Sequence, residues 1–151
     1  MKTAEDILKA KGGEMISVSP RTTVSNALRI MTEYRIGAIV VKDNGRLVGI
    51  WTEWDLMRNT VTEGFDPHSD EVSSYMVTGL KYASHDDSVY QLQDKFLGMR
   101  LRHLLIKKKR DCIGIISTGD VMRMLLNDMQ EQLDEATTLA SWQYYENWRW
   151  R

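Results

Sequence analysis

Residues 37–58, GAIVVKDNGRLVGIWTEWDLMR, return further along the chain as RHLLIKKKRDCIGIISTGDVMR. A single offset of 65 residues carries Asp55 onto Asp120, and it also carries Val24 onto Val89, Arg35 onto Arg100, Lys42 onto Lys107, Gly49 onto Gly114 and Arg58 onto Arg123 without a gap. The chain is an internal duplication. Both copies hold one seven-residue pattern: Gly, an apolar residue, any residue, Thr or Ser, two further residues, then Asp, over Gly49 to Asp55 and Gly114 to Asp120.

A repeat of about 60 residues is marginal as a free-standing domain, so the two copies are expected to pack together within a 151-residue chain that is 42% hydrophobic. A net charge of −1 with both signs interspersed argues against nucleic-acid binding through bulk electrostatics. The single cysteine, Cys112, excludes a disulfide framework and fits a reducing, cytoplasmic setting. No apolar run approaches membrane-spanning length, and the first twenty residues lack the apolar segment of a secretion signal.

Taken in order, 3–11 reads as a short helix stopped by Gly12-Gly13, and 15–18 as a short strand ended by Pro20. Val24, Ala27, Leu28 and Met31 give a helix one apolar face. Two strands, 38–41 and 47–51, flank Asn44-Gly45, the strongest hairpin signal in the chain, and a helix follows from Trp54 to about Val61. Residues 62–69, TEGFDPHS, read as a linker. The second copy predicts a short helix at 70–75, a strand at 81–83, a helix bearing Val89, Leu92 and Phe96, and strands at 103–106 and 112–116 around a poorer turn, Lys109-Arg110. A last helical stripe runs through Leu125, Met129, Leu133 and Ala136 into the aromatic tail SWQYYENWRWR. The expected division is therefore 1–61, a linker over 62–69, 70–126, and a helical tail over 127–151.

Thr52-x-x-Asp55 and Ser117-x-x-Asp120 each fall where a strand gives way to a helix, and that spacing describes a capping box. A cap alone does not call for Gly49 or Gly114, whereas glycine late in a strand lets a backbone or ligand approach. The same atoms suit a nucleotide: a helix N-terminus and a hydroxyl meet phosphate, while Asp, which would repel phosphate, accepts from a ribose diol.

With its strands and duplicated motif, the chain resembles a tandem pair of cystathionine-β-synthase (CBS) domains, a Bateman module, over roughly 7–126. The second copy is similar to stand-alone CBS proteins that read Arg-His, three apolar residues, then Gly-Ile-Ile-Ser-x-Gly-Asp. That resemblance implies an α/β fold of two β-α-β-β-α repeats about a pseudo-two-fold axis, pairing again as a homodimer. It implies a regulatory, non-enzymatic module that binds AMP, ADP or ATP and modulates a regulated protein whose identity the sequence does not give, with no metal, nucleic acid or membrane partner. Carried over by residue, Asp55 and Asp120 hold ribose, and Thr52 and Ser117 meet phosphate. Gly37, Ala38, Arg102 and His103 line the clefts, Ile16, Ser17, Val18, Lys81, Tyr82 and Ala83 supply base pockets, and Tyr82 stacks on adenine. The competing class is a nucleotide-free dimerisation or docking module in which Thr52 and Ser117 serve only as caps.

The copies differ at their motifs. Arg102 and His103 replace Gly37 and Ala38, so one copy alone brings a guanidinium to that position and is expected to be the tighter phosphate site. Trp51 and Trp54 stand where the second copy has Ile116 and Gly119, and either narrow the first cleft or wall it off. The three histidines, 68, 85 and 103, have no metal-ligand spacing, and Cys112 reads as core. Lys107 to Arg110 read as a solvated turn, with a phosphate contact from Lys107 or Arg110 as the alternative. Met31, Met57, Met99, Met122, Met124 and Met129 read as packing. Trp142, Tyr145 and Trp148 suit a helix laid on the protein or a partner-docking surface.

Overall fold

The computed structural model describes residues 1–133; Ala136 and the aromatic tail lie outside the described residues. Helix α1 (Ala4–Lys11) is followed by β1 (Ser17–Val18), α2 (Val24–Tyr34), β2 (Ala38–Asp43), β3 (Arg46–Thr52) and α3 (Glu53–Asn59). A 3-10 turn (Val72–Ser74) leads to β4 (Tyr82–Ser84), α4 (Val89–Met99), β5 (His103–Lys108), β6 (Asp111–Ser117) and α5 (Thr118–Gln132). The strands form two three-stranded sheets, β1-β2-β3 and β4-β5-β6, each with one parallel and one antiparallel pairing. The repeat reaches down to irregularities. Both hairpins carry a register shift, between Val41 and Lys42 and between Ile106 and Lys107, and α2 and α4 both end on a left-handed arginine, Arg35 and Arg100.

Local chemistry explains the elements. Asn44 and Gly45 both take positive φ, as a two-residue hairpin turn requires, and in the second hairpin Lys109 adopts φ 56° despite its side chain. Thr3, Thr23, Thr52, Ser88 and Ser117 each accept a hydrogen bond from the third N–H of the helix they open.

The chain forms two compact units, and they do not follow the sequence copies: one joins residues 1–12 to the chain from Tyr82 onward, and the other comprises Gly13–Lys81. Helix α1, from the first copy, buries Ala4 and Ile7 with Ala83, Val89, Leu92, Leu104, Ile106 and Ile116 of the second. Reciprocally, Val72 joins Val24, Ile39, Val41 and Trp51, and Val77 bridges Ile50. The 62–69 segment is stitched into the Gly13–Lys81 unit, where the Pro67 and Asp70 carbonyls accept from the first N–H groups of α2, Ser25 and Val24.

Several expected core positions fall outside it. Trp51 is fully buried and donates through Nε1 to Asn59 Oδ1 at 2.9 Å, so it belongs to the interior rather than to a cleft wall, while Trp54 is half exposed. Of the methionines, Met31 and Met124 are buried, but Met57, Met99, Met122 and Met129 are exposed, as is Leu133. Helix α5 packs through Val121, Met124 and Leu125, because only its first two turns lie against the core. Cys112 is half-buried and outside the core cluster, its thiol 3.6 Å from the Gly114 carbonyl.

Candidate functional site

At the end of β3 the chain turns directly into α3, and Thr52 makes the junction. Its hydroxyl accepts from Asp55 N–H at 3.3 Å and donates to Asp55 Oδ2 at 2.9 Å, which also accepts from Thr52 N–H at 2.9 Å. Asp55 is buried, and its other oxygen is paired with Arg58, one turn along the helix. Gly37 is held beside this turn, since its carbonyl accepts from Glu53 N–H at 3.0 Å and Ala38 is the register partner of Thr52.

The second junction repeats the plan. Asp120 Oδ2 accepts from Ser117 N–H at 2.8 Å, and Ser117 Oγ accepts from Asp120 N–H at 3.2 Å. The Arg102 carbonyl accepts from Thr118 N–H at 2.9 Å, and His103 pairs with Ser117 in register. The surroundings differ. Lys11, at the end of α1, donates to Asp120 Oδ2 and to the Ile115 carbonyl, both at 3.1 Å, while Arg123 lies 3.8 Å from Asp120 Oδ1. Burial pushes the Asp120 carboxyl up, but Lys11 and the Ser117 hydrogen bonds outweigh it and leave it below its usual value. Burial pushes the His103 imidazole down to about 4, with Lys11 and Arg102 adding to the shift and Asp120 opposing it.

The glycines answer to packing. A Cβ on Gly114 would lie 2.6 Å from Leu8 Cδ2, and one on Gly49 would lie 2.8 Å from Met76 Cγ. What approaches each strand is a side chain from the exchanged segment. Lys11, Arg58 and Arg123 were not singled out from the sequence. The two arginines were visible as a duplicated pair three residues after each Asp, whereas Lys11 stands 109 positions from its partner and left no local signal.

The remaining site residues divide between the units. In Gly13–Lys81, Ser17 pairs with Val40 and the Ile16 carbonyl accepts from Val40 N–H at 3.4 Å, which sets β1 beside the start of β2; Val18 turns its side chain into the core. Lys81 is exposed and precedes β4. In the other unit Tyr82 pairs with Leu105, Ala83 is core, and Lys107 Nζ stands 4.6 Å above the Tyr82 ring, covering one of its faces. Lys107 and Lys108 belong to β5 rather than to the turn, and Lys108 donates to Glu5 at 2.9 Å. Among the described residues no group of three His, Cys, Asp or Glu could hold a metal ion, and no helix is long and apolar enough to cross a membrane.

The CBS domain model matches residues 4–61 and again 72–127. The chain belongs to the CBS domain family. This CBS pair is 30% identical over 140 residues to the CBS domain-containing protein CBSX3, mitochondrial, of Arabidopsis thaliana, across 87% of this chain and 68% of that one. Its fold is similar to the crystal structure of a CBS-domain containing protein from Agrobacterium tumefaciens, with TM-score 0.77 and 30% identity over 82% of this chain and 99% of that one. The fold is also shared with CBSX2, solved in complex with AMP, at TM-score 0.69 and 20% identity over 85% of this chain and 98% of that one.

Proposed function

We propose that this CBS pair binds an adenosine nucleotide, AMP, ADP or ATP, through its two duplicated junctions and passes the bound state to a regulated protein. The observation that carries the reading is that each repeat buries one carboxylate, Asp55 or Asp120, at a strand-to-helix turn and supports it with a hydroxyl and cations. A buried carboxylate is costly unless compensated, and helix capping does not require its burial. In this reading Asp55 and Asp120 accept from ribose. Thr52 and Ser117 meet phosphate, with Gly37 and Ala38 or Arg102 and His103 alongside. Ile16, Ser17, Lys81 and Tyr82 frame the base, with Val18 offering backbone only, and adenine stacks on the face of Tyr82 that Lys107 leaves open. The protein acts in the cytoplasm as a homodimer, a state supported by the exposed Trp54, Met57, Met122 and Met129 on α3 and α5. Regulation follows from linkage: a ligand shifts the partner's affinity by its own differential affinity for two arrangements.

One observation favours a second reading, a nucleotide-free dimerisation or docking module: both capping boxes make their two reciprocal hydrogen bonds within the chain, which is what a cap alone requires. Thermal-shift measurements with AMP, ADP, ATP, S-adenosylmethionine and NADH separate the two. A ligand at a hundred times its dissociation constant adds about 2.7 kcal/mol of stability. The expected outcome is a shift in the wild type that disappears in the Asp55→Ala, Asp120→Ala double variant. A nucleotide-free wild type that shifts with none of them establishes the docking reading.

A further inference from the structure

The two junctions share a carboxylate, a hydroxyl and a following arginine, yet they differ in what the exchanged segment brings to them. Met76 and Leu8 occupy corresponding places in the two units, each against the late-strand glycine, Gly49 or Gly114; Lys11, three residues beyond Leu8, answers to Gly79, three residues beyond Met76, which has no side chain to offer. Met76 lays its thioether against Gly49, and Val77 bridges Ile50 through its backbone. At the other junction Leu8 fills the space against Gly114, and Lys11 continues past it to the Ile115 carbonyl and the Asp120 carboxylate. Ile115 is the counterpart of Ile50, so one exchanged segment satisfies that strand through its backbone and the other through an ammonium group.

The ammonium is placed to exchange partners. Its side chain is 39% exposed, whereas that of Asp120 is 9% exposed. An ammonium has three donors and Lys11 uses two, one on a carbonyl that stays in place and one on the carboxylate oxygen that already accepts from Ser117 N–H. A diol donating to Asp120 competes with Lys11 for that oxygen. A phosphate on the same ligand offers the displaced cation a stronger acceptor than water. Arg102, which is exposed, adds a second cation beside His103, where the other junction has Gly37 and Ala38.

We propose that Lys11 is a specificity-determining residue of the Asp120 junction, paired with the carboxylate until a ribose takes it and then bound to the ligand's phosphate. The Asp120 site thereby selects phosphorylated adenosine compounds, and the Asp55 site, with Gly79 in the matching place, does not distinguish them from the nucleoside. This rests on the adenosine reading above and adds the chemistry that makes the two sites unequal.

Isothermal titration of AMP and of adenosine into the full chain tests it, using the wild type, Lys11→Met, which removes the charge and keeps an unbranched side chain, Lys11→Arg and Asp120→Ala. The expected result is that Lys11→Met weakens the tighter AMP site about tenfold or more and leaves adenosine within about twofold. Lys11→Arg retains most of the AMP affinity. Equal losses for AMP and adenosine would show a structural role and overturn the proposal. AMP binding unchanged in Lys11→Met but lost in Asp120→Ala would overturn it while leaving the adenosine reading standing. A folded wild type that binds neither compound overturns both.

Discussion

His103 shows most directly how a single position in the second copy departs from its counterpart. Where the first copy has Ala38, the imidazole sits among Lys11, Arg102 and Asp120 with its pKa lowered to about 4, while the unfolded chain titrates near 6.5. Between those values the unfolded state binds more protons, so stability rises with pH across the window and is lost as the pH falls through it. The folded protein is expected to lose roughly 2 kcal/mol between pH 7 and pH 5 from this group. Chemical denaturation at both pH values checks this, and His103→Gln should flatten the difference; an equal loss in the variant would assign the effect elsewhere. The sequence showed that Arg102 and His103 set the copies apart, but it could not show the sign of the shift. That sign is set first by burial, to which Lys11, from a helix remote in sequence, adds. Trp51 marks the opposite limit. Its place next to the motif suggested a cleft wall, yet strand alternation turns it inward with Gly49 to the core, where Asn59 satisfies its indole N–H.

The helix, strand, strand, helix order of each copy could be read directly, because Asn44-Gly45, the apolar spacing of α2 and α4, and the paired caps are local signals. What could not be read was where the leading segment of each copy goes. Leu8 in α1 carries a side chain that fits only because Gly114 in β6 has none, and the strand and the helix belong to different copies. Gly114→Ala is therefore expected to destabilise by about 1–3 kcal/mol. In a Leu8→Ala background the same change should cost less, with a coupling of about 1 kcal/mol in a double-mutant cycle by urea denaturation. Additive effects would mean that the strand needs its glycine for something other than α1. The spacing of Leu125, Met129, Leu133 and Ala136 suggests a long α5 stripe, but Met129 and Leu133 are exposed while Val121 and Met124 are buried, so periodicity located the helix and misjudged its covered length.

For the whole molecule, the exchange of leading segments decides which fragments can close a core. Residues 13–81 contain every member of the cluster around Trp51, whereas residues 1–61 lack Val72, Tyr75 and Met76 and carry an α1 whose partners lie beyond Tyr82. The 13–81 fragment is expected to unfold cooperatively by Trp51 fluorescence in urea, and the 1–61 fragment to show no such transition. A cooperative transition in 1–61 with none in 13–81 would contradict the division into units. The same exchange bears on how such a chain can arise. In a single repeat built on this plan, the leading segment that completes the core would have to come from another copy, so a lone repeat could close its core only as an intertwined pair of chains. Joined in tandem, the two copies share their folding, and Leu8 and Met76, at corresponding places against Gly114 and Gly49, are free to differ because each is encoded separately.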